Sequence, residues 1–122
     1  MAKRILIIED DLFVRDIYQE TLTAEGYDIT IAENGEVGLK QLEQGGFDLI
    51  LLDVMMPKMN GLEVLQHISQ EKSEKPNGPV VLLTNLAHDP IIDQALKSGA
   101  KAFLIKSDLT PETLVEHVKK YL

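Results

Sequence analysis

Leu49-Ile50-Leu51-Leu52 runs without a polar residue into a single carboxylate, Asp53, and Pro57 follows four positions later. An unbroken apolar run of this length fits a strand buried on both faces, because a strand with one wet face would alternate. Such a strand needs a neighbour on each side and cover above and below. Asp53 stands where the strand gives way to a loop, so the rest of the chain has to build a sheet around it.

Four further apolar runs supply that sheet, and helix-like segments separate them. Ile5-Leu6-Ile7-Ile8 ends in Glu9-Asp10-Asp11. Leu12 to Glu25 then carries Val14, Ile17, Tyr18, Thr21 and Leu22 near helical spacing, and Gly26 closes it, as glycine commonly does where positive φ is needed. Tyr27 to Ala32 alternates, as an edge strand with one wetter face would. Gly35 to Gln44 is a helix stopped by Gly45-Gly46. Beyond Asp53, a helix is predicted from Leu62 to Glu71, and the Pro-, Asn- and Gly-bearing stretch from Ser73 to Pro79 reads as a loop. Val80-Val81-Leu82-Leu83 ends at Thr84. Asp89-Pro90 pairs a cap with a first-turn proline, opening a helix that Gly99 stops. Ala102-Phe103-Leu104-Ile105 ends at Lys106, and Thr110-Pro111 opens the last helix.

The pattern is (βα)5 over one domain spanning residues 1–122, an expectation that suits a chain of 122 residues. Short apolar strands alternating with helices predict a parallel sheet covered on both faces. Right-handed crossovers leave few topologies, and a doubly wound, flavodoxin-like sheet in order 2-1-3-4-5 is the simplest. No effector domain is visible within the chain. A core of this size needs no staples, and there is no cysteine to form them. The first apolar run is too short for a signal-peptide core or a membrane span, so a cytoplasmic protein without membrane contact is expected. Acids outnumber bases 20 to 12, a net charge of −8, which opposes direct nucleic-acid binding.

Ligands of open parallel sheets bind beyond the carboxyl ends of the strands. Glu9, Asp10, Asp53, Thr84 and Lys106 each follow an apolar run, so this topology gathers them at one edge. Three carboxylates there repel one another. A like-charged pair 4 Å apart costs about 1 kcal/mol in water and roughly 4 kcal/mol at a protein-like dielectric. Lys106 offsets part of this, and a divalent cation would offset the rest. All-oxygen ligands without nearby histidine or cysteine suit Mg2+ (or Mn2+) better than Zn2+. The set is competent for phosphoryl transfer to a carboxylate. Asp53 would be the nucleophile, Lys106 and the metal would balance charge, and the Thr84 hydroxyl would meet a phosphoryl oxygen.

These residues, together with Met56-Pro57 and Gly61 behind Asp53, resemble the receiver domain of two-component response regulators over essentially the whole chain. The resemblance implies that a histidine kinase or histidine phosphotransfer protein phosphorylates Asp53. It implies a metal held by Asp10, Asp53 and the backbone carbonyl of Met55, with Glu9 acting through water. Thr84 and Phe103 would be a switch pair, and the surface of helix four, strand five and helix five would change its affinity for a downstream protein or for a second copy of the chain. Self-phosphorylation and slow loss of the phosphoryl group would be the only catalysis, since Met55 and Leu86 offer nothing to orient water.

The chain departs from the family pattern at three positions. Ser107 replaces a proline whose bond is often cis; a cis bond before serine costs ~2.5–4 kcal/mol, leaving either a trans bond with a shifted loop or a strained one. Asn85 replaces a small residue and narrows access to Asp53. Phe103 lacks the hydroxyl of the commoner tyrosine. Simpler roles compete at several sites: Asp10 and Asp11 both suit a helix cap, Phe103 suits a core, and Met55, Met56 and Met59 suit loop packing. His67, His88 and His117 are scattered and read as surface residues. A phosphatase using an aspartyl phosphate needs a second acid where Met55 stands, and a flavin phosphate would be repelled by Glu9-Asp10-Asp11.

Overall fold

The structure, a computed structural model, describes residues 2–70, 74–85 and 90–122. The strands are β1 (Arg4–Ile8), β2 (Asp28–Ala32), β3 (Leu49–Asp53), β4 (Val80–Thr84) and β5 (Ala102–Ile105). The helices are α1 (Leu12–Ala24), α2 (Gly35–Gln44), α3 (Gly61–Gln70), α4 (Pro90–Lys97) and α5 (Pro111–Tyr121), with a 3-10 turn over Lys106–Asp108. All strand pairings are parallel and the order is β2-β1-β3-β4-β5. The doubly wound sheet expected from the alternation is therefore the one found.

β3 is central, and all five of its residues are buried, Asp53 included. The side chains alternate between two cores. Ile5, Ile7, Leu49, Leu51, Val81, Leu83 and Leu104 meet Tyr18, Leu22, Leu114 and Val118 of α1 and α5. Leu6, Ile8, Ile50, Leu52 and Leu82 meet Leu42, Val64, Leu65 and Ala95 of α2, α3 and α4. β2 departs from expectation: Ile29, Thr30 and Ile31 are all half-buried rather than alternately wet. Helices flank this edge strand on both sides, so neither of its faces is left to solvent.

The helix ends follow the local chemistry. Asp11 Oδ1 accepts from the Phe13 and Val14 amides at 2.9 and 3.2 Å, capping α1. Gly26 takes φ 91° just beyond α1. Thr110 and Thr113 cap α5 reciprocally, with Pro111 in its first turn. Asp89, the expected cap of α4, and His88 lie outside the described residues, as does Glu71 at the expected end of α3.

Candidate functional site

Three strand ends build the site. Glu9 follows β1, Asp53 closes β3 and Lys106 follows β5. Glu9 and Asp53 are 0 % and 2 % exposed, whereas Asp10 is exposed. Lys106 Nζ lies 2.8 Å from Glu9 Oε2 and 3.2 Å from Asp53 Oδ1, so one ammonium bridges two buried carboxylates. Backbone amides orient both acids. Met55 N–H donates to Asp53 Oδ1 at 3.1 Å, and Asp11 N–H donates to Glu9 Oε1 at 3.1 Å. The competition between the two adjacent aspartates is resolved by position: Asp11 takes the cap, and Asp10 joins the cluster.

The electrostatics are strained. Burial, then the neighbouring Glu9 carboxylate, pushes Asp53 up to about 8; Lys106 pulls it back and Asp10 adds a smaller upward push. Burial works to lower Lys106, but contacts with Glu9 and Asp53 outweigh it, and its pKa rises. The lysine stays charged, while Asp53 without a further cation holds its proton far above the usual carboxylate range.

That deficit identifies what the cluster can hold. Carboxylate oxygens of Glu9, Asp10 and Asp53 lie within 4.8 Å of one another. Glu9 Oε2 is fully buried and, beyond the ion pair, has no well-formed hydrogen bond among the described residues. Three carboxylates, one of them with a buried oxygen whose partner is the Lys106 ammonium, and no histidine or cysteine in the cluster fit a hard divalent cation with its waters.

The β3–α3 loop sets the geometry. Val54 N–H donates to Leu83 O and Gly61 N–H donates to Val54 O, both at 3.0 Å. A Cβ at Gly61 would stand 2.7 Å from the Asp53 carbonyl, so glycine is required there by close approach rather than by φ. Lys58 has φ 67°, and Met59 N–H donates to Pro57 O at 2.8 Å, a tight three-residue turn with a non-glycine residue in the left-handed region.

Thr84 is buried at 2 % and Phe103 is half-buried against the core below α2, α3 and α4. The register pairs Leu82 with Phe103 and Thr84 with Ile105. Strand alternation therefore puts Thr84 and Phe103 on one face of the sheet, and Asp53 on the face of α1 and α5. The Lys106–Ser107 peptide is trans and enters the 3-10 turn, which is the shifted-loop alternative. Asn85 is exposed. Met56 and Met59 pack inward as expected, but Met55 does not: the residue is 58 % exposed, while its amide donates to Asp53. His67 is exposed and His117 is half-buried. Leu86 lies outside the described residues.

Two residues near the site were not singled out from the sequence. Tyr18 is buried on α1, and its phenol is pushed up to about 12 by burial, then by Glu9 and Asp53. Arg15 reaches back from α1, where Nη1 donates to the Glu9 carbonyl at 3.3 Å. Tyr18 looked like ordinary core spacing. A base one turn into a helix that follows three acids was the available signal for Arg15.

A five-stranded doubly wound sheet with an acidic triad and a lysine at its carboxyl edge defines a class of phosphoryl-accepting signalling modules. The family model for the response regulator receiver domain matches residues 5–119. The chain is 29 % identical over 121 residues to the chemotaxis protein CheY of Thermotoga maritima, covering 98 % of each. It is 36 % identical over 124 residues to the alkaline phosphatase synthesis transcriptional regulatory protein PhoP of Bacillus subtilis, covering 100 % of this chain and 49 % of PhoP. Among solved structures, the response regulator TrrA of Thermotoga maritima in complex with Mg(2+)-BeF superimposes with a TM-score of 0.81 at 38 % identity, over 98 % of this chain and 99 % of that one. The chain spans 43 % of the length of the Bacillus subtilis transcriptional regulator YkoG and 49 % of PhoP. This chain belongs to the response regulator receiver family, and the phosphorylation-dependent signalling switch expected from its residues is the function of that family. Among the described residues, no helix is long and apolar enough to cross a membrane.

Proposed function

We propose that Asp53 is the phosphoacceptor and that a histidine kinase or histidine phosphotransfer protein is the donor. The observation that carries this reading is a buried strand-end carboxylate, bridged by Lys106 to Glu9, inside a cation-ready cluster. An Asp53 oxygen attacks the phosphorus of the donor's phosphohistidine. The P–N bond breaks, its electron pair returns to the imidazole, and an acyl phosphate forms on Asp53. Lys106 holds a positive charge beside the incoming oxygens and keeps Glu9 in place. Asp10, Asp53 and the Met55 carbonyl would hold Mg2+ (or Mn2+), with Glu9 reaching it through water. When bound, the ion supplies Lewis-acid neutralisation of the transferring group. TrrA, with Mg(2+)-BeF, supports that assignment by similarity.

Leu12, Phe13, Ile17 and Met55 are exposed large apolar residues at and beside this edge, 52–78 % exposed, and offer the donor a docking rim. Phosphorylation adds about −1.5 to −2 charge at Asp53. The Thr84 hydroxyl moves toward the new oxygens, the Phe103 ring follows, and the face of α4, β5 and α5 changes affinity for a downstream protein or a second copy. The chain acts as a cytoplasmic binding module and not as an enzyme on other substrates. Its charge of −8 argues against direct nucleic-acid contact.

Incubation with acetyl phosphate, with and without Mg2+, tests the assignment. Mass spectrometry is expected to find the added phosphoryl group on Asp53 only when Mg2+ is present, and none on Asp53→Asn. A label that persists in that variant would place the acceptor elsewhere.

A further inference from the structure

The Glu9–Asp10 peptide joins two of the three acids of the cation cluster. β1 ends at Ile8, and the last sheet bond of this segment runs from Glu9 N–H to Ala32 O at 3.1 Å. The Glu9 carbonyl lies beyond the ladder and accepts no backbone hydrogen bond from a strand among the described residues. Arg15 Nη1 meets it at 3.3 Å from one turn inside α1. Since a peptide unit is planar, fixing the Glu9 carbonyl also fixes the Asp10 amide and limits the directions Asp10 can take. The other end of the turn is held separately, by the Asp11 cap and by Asp11 N–H on Glu9 Oε1.

We infer that Arg15 is a positioning residue for the divalent cation, acting through the Glu9 carbonyl rather than by touching the ion. This rests on the cation reading of the acidic cluster given above. Positioning and simple electrostatics predict changes of opposite sign. Arg15 is a cation beside a cation site. If only its charge mattered, removing it would tighten Mg2+ binding, because like charges repel. If it positions the turn, removing it weakens Mg2+ binding despite the lost repulsion. Groups that orient a metal ligand from outside the coordination shell typically cost 10–100-fold in affinity when removed.

Mg2+ titrations by calorimetry of wild type, Arg15→Ala and Arg15→Lys make the test, with thermal unfolding in chelator as the control for folding. The expected result is about a 10-fold loss of affinity in Arg15→Ala, partial recovery in Arg15→Lys, and cooperative unfolding of both variants in chelator. Equal or tighter Mg2+ binding in a folded Arg15→Ala overturns the positioning role while leaving the cation site standing. Absence of Mg2+ binding in wild type overturns both. If Arg15→Ala does not fold, Arg15→Gln provides the same comparison, because it loses the charge and keeps a donor: affinity near wild type supports positioning by the hydrogen bond, and affinity above wild type supports charge alone and overturns it.

Discussion

The two ends of the sheet treat polar groups in opposite ways. At the amino end, polar atoms are satisfied in detail. Asp48 Oδ2 accepts from Arg4 N–H at 2.8 Å, and the Arg4 guanidinium lies 4.5 Å from the centre of the Phe47 ring and donates to the Gly46 carbonyl. Asn77 spans two segments, donating to Leu42 O at 2.9 Å and accepting from Phe47 N–H at 3.3 Å. At the carboxyl end, two buried carboxylates share one ammonium, and Glu9 Oε2 has no partner beyond that ion pair among the described residues. A buried polar group with its partners rigidifies a fold, and one without them costs free energy. The amino end holds the layers together, and the carboxyl end gathers acids whose ionisation a cation would compensate.

The largest effect should come from disturbing the satisfied end. Gly78 N–H donates to Phe47 O at 2.7 Å, and a Cβ at Gly78 would run into the Asp48 carbonyl. Gly78→Ala is expected to lower the unfolding free energy by about 3 kcal/mol, the upper part of the overpacking range, with Mg2+ affinity of the folded protein unchanged. Urea denaturation measures the first and calorimetry the second. A silent Gly78→Ala would remove the contrast between the two ends.

Asp53→Asn should move stability the other way. It removes a buried charge while Glu9 keeps Lys106 paired. Without divalent ions at about pH 8, unfolding should require on the order of 1–4 kcal/mol more, and the stabilisation by Mg2+ should disappear. A less stable variant would mean that the cluster is not strained in the absence of metal.

A pH series sharpens the same point. The folded pKa of Asp53, about 8, exceeds its ordinary value of 3.8. Between those values the folded state keeps a proton that the unfolded state has released. The favourable contribution of this group is therefore complete below about 3.8, falls as pH rises, and is gone above about 8. A cation that binds the ionised cluster displaces the proton. The gain in Tm on adding Mg2+ should thus be larger at about pH 8 than at about pH 5. An equal gain at both would detach the metal from Asp53.

The smallest change concerns the loop between the ends. Lys58→Gly relieves a left-handed residue at φ 67° but frees the unfolded chain, and the net gain should stay within about 1 kcal/mol. A loss of stability would show that the lysine side chain makes a contact that matters more than its backbone.

Much of this was legible in the amino-acid order. Five apolar runs, their glycine and proline stops and the polar residue after each were enough for the sheet order and for Asp53, Glu9, Asp10, Thr84 and Lys106 at one edge, because strand burial and crossover handedness depend on local pattern. Three matters were decided only by tertiary packing. Adjacent aspartates look equivalent in a string; in the fold Asp11 caps α1 and Asp10 joins the cluster. Serine after Lys106 allowed two loops, and the 3-10 turn into α5 selected the trans one. Tyr18 read as an apolar helix position and Arg15 was not singled out, because their partners appear only when α1 is laid across the end of β1. The physical reason is common to all three. Periodicity records which face of an element is apolar, whereas the partner of a polar atom depends on where another element ends.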